Sequence, residues 1–115
     1  MIMSAIAAGY GQSTGAEFLA LGVHAGDHAI YPDCREEFID TLRKVIELSD
    51  WNPFTVRAPF QRMTKKEILE IGLQLEPPVD YGQTWTCYKG EEKPCGMCGA
   101  CQEREKAFRN VGMED

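Results

Sequence analysis

An α/β fold is the class this sequence predicts, and three observations predict it. Two short apolar segments, "EFLALGVH" at residues 17–24 and "FTVRAPF" at residues 54–60, read as strands bounded by turn-rich sequence. Stretches with helical spacing precede, separate and follow them, so the element order is helix, strand, helix, strand, helix. The first segment is near-continuously apolar, which suits a strand buried on both faces of a parallel sheet.

Each element has its own warrant. The opening "MIMSAIAAGYGQSTGA" sets Met3, Ile6, Ala7 and Tyr10 at helical spacing, with Gly15 placed to end the helix. No capping residue precedes Met1, and the chain is expected to open inside a helix. Residues 25–35 are polar and turn-rich. Asp33 with Glu36 is expected to form a capping box for a second helix, which carries Phe38, Leu42, Val45 and Ile46 on one face. Thr64 with Glu67 opens a third helix, through Ile68 and Ile71 to Gly72. "LEPPVDYGQT" then breaks the pattern, and "QEREKAFRNVG" reads as a short final helix. The expected division is an α/β part over residues 1–80 and a cysteine-bearing segment with the final helix over residues 81–115.

Composition narrows the function classes. The chain has 115 residues, 43% hydrophobic and 26% charged, ordinary values for a globular protein. No run approaches ~18 consecutive apolar residues and no signal-peptide pattern opens the chain, so no membrane association and a cytoplasmic location are expected. Eighteen acidic against twelve basic residues leave a net charge of -6, which disfavours direct nucleic-acid binding.

Four of the five cysteines fall as C-x7-C-x2-C-x2-C, at Cys87, Cys95, Cys98 and Cys101. Four thiolates suit a tetrahedral zinc ion, and two-residue spacers let a backbone knuckle present consecutive sulfurs to one metal. An iron-sulfur cluster is the competing reading, because C-x2-C-x2-C also opens the bacterial ferredoxin run, although no fourth cysteine followed by proline comes downstream. Four protein ligands leave no open position, so such a metal is structural and the chemistry lies elsewhere.

The place to seek it is the carboxyl end of the first strand, where open α/β sheets bind ligands. There His24, Asp27, Tyr31, Asp33, Cys34 and Arg35 crowd one loop. Several have simpler roles: Asp33 as a helix cap, Cys34 as filler, Arg35 as a solvated side chain. Asp27 follows Gly26 where no capping role is evident, which makes it a candidate ligand contact. Lys65 and Lys66 lie in the first turn of the third helix, where the macrodipole disfavours cations by roughly 0.3–1 kcal/mol each. A bound phosphate would relieve that, as would the neighbouring Glu67.

Taken together, "LGVHAGDHAIYPDCREEF", "APFQRMTKKEI" and "TWTCYKGEEKPCGMCGAC" resemble the C-terminal half of the 7-cyano-7-deazaguanine synthase (QueC, ExsB-like) family, in the family's order and over nearly the whole chain. The resemblance implies part of an adenine-nucleotide-hydrolase-like parallel sheet (the HUP, or PP-loop ATPase, class) with a C-terminal zinc-binding segment. It implies an ATP-dependent ligase that converts 7-carboxy-7-deazaguanine and ammonia to the nitrile in queuosine precursor biosynthesis, with Mg2+ accompanying ATP. By the same resemblance Cys87, Cys95, Cys98 and Cys101 match the zinc ligands. Asp27, Tyr31, Asp33 and Arg35 match the segment facing the deazapurine, and Lys65 matches a lysine near the ATP phosphates. The family's S-G-G-x-D-S loop for ATP has no counterpart here, since Gly9, Gly11 and Gly15 belong to the first helix and its end. The chain is therefore expected to be inactive alone and to pair with itself or with a chain carrying the N-terminal ATP-binding half. A non-catalytic, zinc-stabilised deazapurine-binding module is the alternative.

Overall fold

The computed structural model describes residues 1–114 and divides into two compact units, Met1–Arg62 and the residues from Met63 onward. The first holds helix α1 (Ile2–Thr14), strand β1 (Phe18–Ala20), helix α2 (Glu36–Glu47) and strand β2 (Thr55–Arg57). The second holds α3 (Lys65–Leu73) and α4 (Gly99–Asn110), so α3, grouped with the first part in the sequence reading, lies with the cysteines.

The fold is α/β with a small parallel sheet. Strand β1 pairs with β2 in the register Phe18↔Thr55, Leu19↔Val56 and Ala20↔Arg57, and α2 lies on the crossover between them. Helix α1 stops where expected, with Gly15 left-handed at φ 77°. Ala8, Leu42, Ile46, Phe54 and Val56 form the buried core of this unit, with Leu19, Leu21 and Phe38 packed against it. Ile39 is also fully buried, while Val45, expected on the inner face of α2, points outward.

Three expectations are corrected. Strand β1 covers only three residues, and Phe18 and Ala20 are exposed rather than buried on both faces. The Arg57 guanidinium stacks 4.1 Å above the Phe18 ring, which otherwise stays exposed. The capping box of Asp33 with Glu36 does not form. Pro32 starts a 3-10 turn over Pro32–Cys34 that contains Asp33, so Arg35 occupies the N-cap of α2 and makes no side-chain cap bond there. Glu36 instead accepts from Arg62 Nε and Nη2 at 2.6 and 3.1 Å, which holds its carboxyl below the ordinary glutamate value. Finally, Asp27 does cap. It closes a box with His24 around the turn Ala25–Asp27, accepting from the His24 backbone N–H at 3.4 Å while His24 Nδ1 accepts from Gly26 N–H at 3.1 Å.

In the second unit Thr64 caps α3 as its sequence predicts. Thr64 Oγ1 accepts from Glu67 N–H at 3.3 Å and Glu67 Oε2 accepts from Thr64 N–H at 2.7 Å. These bonds favour the ionised carboxylate and lower the Glu67 pKa. Leu69, Ala107 and Phe108 make a small core between α3 and α4. Tyr81 completes it, meeting Phe108 edge-on at 6.0 Å and donating its hydroxyl to the Ile68 carbonyl at 3.1 Å. Gly72 makes room for that hydroxyl, because a Cβ there would come within 1.9 Å of it.

Candidate metal centre

The four clustered cysteines arrive from two short segments. Cys87 ends the strap that follows the turn Tyr81–Gln83, Cys95 and Cys98 flank a tight turn, and Cys101 sits in the first turn of α4, which Cys98 caps. Gly96 takes φ 68° in that turn, a conformation a side chain resists, so the glycine lets the knuckle close.

Their sulfurs all lie within 4.8 Å of one another, with Cys98 to Cys101 at 3.4 Å and Cys95 to Cys101 at 3.9 Å. Metal–sulfur bonds of ~2.3 Å arranged tetrahedrally require sulfurs about 3.8 Å apart. Backbone amides point at the sulfurs too: Cys95 N–H donates to Cys87 Sγ at 3.5 Å and Cys98 N–H to Cys95 Sγ at 3.4 Å. Bonds from the Met97 and Cys98 amides lower the Cys95 thiol to about 6, and the Cys101 amide likewise lowers Cys98. Burial pushes Cys101 up to about 12. Distances, donor type and oriented amides fit a tetrahedral metal ion, whose charge would draw the proton from Cys101. Such an ion would cross-link the strap, the knuckle and α4.

A residue missed in the sequence holds the strap. Arg104 is buried at 8% exposure, with Nη1 donating to Thr84 Oγ1 at 2.7 Å and Nη2 to the Tyr81 carbonyl at 3.1 Å. Its guanidinium also stacks 4.6 Å over the Phe108 ring. In "QEREKAF" it reads as one more solvated charge. The available signal was its place three residues after Cys101, on the same face of α4.

The candidate ligand-binding residues are distributed between the units. Asp27, Tyr31, Asp33 and Arg35 share one loop of the first unit. Asp27 is engaged with His24, Arg35 Nε donates to the His28 carbonyl at 3.1 Å, and Asp33 faces the Met1 amine at 3.8 Å. Burial first, then the Asp27 and Asp33 charges, raise the pKa of the Cys34 thiol among them and keep it protonated. Lys65 belongs to the second unit. The anion beside it is a carboxylate, Glu103 Oε2 at 2.8 Å, and Lys66 pairs with Glu70 at 3.3 Å. Among the described residues no helix is long and apolar enough to cross a membrane.

Comparison with known proteins adds the family. The model of the queuosine biosynthesis protein QueC matches residues 1–112. Among curated relatives, the 7-cyano-7-deazaguanine synthase of Caldicellulosiruptor saccharolyticus is 48% identical over all 115 residues, which cover 50% of that relative. The corresponding synthase of Marinobacter nauticus is 48% identical with 51% covered, and that of Methanoregula boonei 45% identical with 52% covered. The chain thus spans about half the length of these relatives, corresponding to their C-terminal half. From the four-sulfur cluster to the match over nearly every residue, the chain belongs to the QueC family of queuosine biosynthesis proteins.

Proposed function

We propose that this chain is the C-terminal part of a 7-cyano-7-deazaguanine synthase of queuosine precursor biosynthesis, and that it completes an adenine-nucleotide-hydrolase-like fold together with an ATP-binding half. The observation that carries this reading is the similarity over the full chain to synthases twice its length, at 45–48% identity. In this reading 7-carboxy-7-deazaguanine is adenylated by ATP with Mg2+, ammonia displaces the adenylate to give an amide, and a second activation and dehydration yield the nitrile. Zinc is the metal held by Cys87, Cys95, Cys98 and Cys101, where it supplies a structural cross-link only.

The chain's own residues would bind and orient the base. Asp27 and Asp33 offer carboxylate acceptors for the N–H edge of a guanine-like ring, and Tyr31 and Arg35 offer a ring face and a cation for its carboxylate. Lys65 would serve the ATP phosphates by exchanging its Glu103 partner for a more highly charged anion. Without an ATP-binding half nothing orients the triphosphate against the carboxylate, so the chain alone is inactive.

The test is nitrile formation followed by mass spectrometry, with 7-carboxy-7-deazaguanine, ammonia, ATP and Mg2+. The chain alone should give no product, and a fusion behind the N-terminal half of the Caldicellulosiruptor saccharolyticus synthase should give it. Turnover by the chain alone would refute its dependence on that half. Binding of the deazapurine with no product from a folded fusion would favour the non-catalytic binding module.

A further inference from the structure

Helix α1 has two apolar faces and only one is covered. Ser4, Ala8 and Gly11 turn toward the first unit's core. Ile2, Met3, Ile6 and Tyr10, at the i, i+4, i+8 and i+3, i+7 spacings of the opposite face, are exposed by 63–76%. No charged side chain occurs anywhere in residues 1–16. Helix α2 shows what a solvent-facing helix of this unit looks like, with Glu37, Asp40, Lys44 and Glu47 on its outer side. An uncharged helix with apolar side chains on two opposite faces suits a place between two layers.

We infer that the outer face of α1 docks against the part of the synthase that this chain does not span, which presents an apolar sheet surface to it. The inference rests on the proposed reading of the chain as a synthase part. It places the contact on α1 rather than on the sheet edge, where β1 has only three residues and Arg57 stacks over the Phe18 ring. Two observations favour this occupant over a second copy. The relatives carry about as many residues again, ahead of the matched region, so their preceding chain leads directly into α1. The four side chains present on the order of 600 Å², large for a monomer's patch but short of the ~800 Å² per partner of a standard interface. A twofold pairing through this stripe alone is therefore undersized, whereas a covering half adds contacts beyond it.

Two measurements test the inference. Light scattering on the chain alone at micromolar concentration should show a monomer, and Ile6→Asp should leave its metal content unchanged, because Ile6 fills no core. A stable dimer that Ile6→Asp dissociates would assign the face to a second copy and overturn the inference. Hydrogen exchange of the Ile2–Thr14 amides should slow at least tenfold in the fusion with the Caldicellulosiruptor saccharolyticus half, and Ile6→Asp should abolish the slowing. Equal exchange in the fusion and the chain alone, or slowing indifferent to Ile6→Asp, would also overturn it. Failure of the functional reading is distinguishable: a fusion that protects α1 but forms no nitrile removes the synthase assignment and leaves the docking face.

Discussion

The first unit, Met1–Arg62, holds itself by burying aliphatic and aromatic side chains around a small sheet, whereas among the described residues the second buries only Leu69, Ala107 and Phe108 in its apolar core, with Tyr81, Val111 and Met113 packed against them, and adds cross-linking contacts. Leu42, Ile46, Phe54 and Val56 in the first unit are 1–5% exposed and come from α2, from β2 and from the residue just before it. In the second unit the counterparts of such packing are four sulfurs within 4.8 Å and a buried arginine that ties a strap to a helix. A segment of roughly 50 residues buries too little apolar surface for independent stability, and metals commonly supply the difference. Hydrophobic burial can thus be concentrated in one part of a chain while a neighbouring part offers a cluster of sulfurs that could hold a metal.

The largest effect that would sharpen this comparison is removal of a ligand. Cys87→Ser, or chelation of the wild type, should abolish high-affinity metal binding and release the second unit's amides to hydrogen exchange, while β1 and β2 stay protected. Loss of protection in both units together would break the comparison. Leu42→Ala is the converse and should cost about 2–5 kcal/mol in chemical denaturation of the first unit, with metal content unchanged. Arg104→Met keeps the stem but removes three donated bonds, to Thr84, Thr86 and Tyr81. It should cost about 1–3 kcal/mol and weaken metal binding about tenfold, read by competition with a chromophoric chelator. The smallest effect is in pH. Cys101 keeps its proton up to about 12 without metal and must release it on binding. Release of that one proton should by itself raise affinity about tenfold per pH unit near neutrality, or about 1.4 kcal/mol. Below about 6 Cys95 is protonated as well, so the fall with acid should steepen there.

Legibility followed the range of the interaction. The Thr64–Glu67 box, the stop at Gly15 and the sulfur knuckle all join residues a few positions apart, and each was readable as a spacing. The box expected at Asp33 obeys the same spacing rule and still failed, because Pro32 diverts the chain into a 3-10 turn and Arg62, 26 residues away, takes Glu36. The capping role of Asp27 is illegible for the opposite reason. Its partner His24 is local, but a histidine acting as a cap is outside the usual Ser, Thr, Asp and Asn set.

What the sequence determined by itself is the α/β order, the four-cysteine metal-binding pattern and, through its motifs, the QueC family. These depend on residue type and short spacing, which survive without coordinates. Only the tertiary structure decided that Arg104 is a buried clamp rather than a surface charge, that Lys65 meets Glu103, and that the outer face of α1 is left uncovered. Each depends on groups brought together from, or missing at, distant points of the chain. No local pattern records which charge will be desolvated or which apolar face will find a partner.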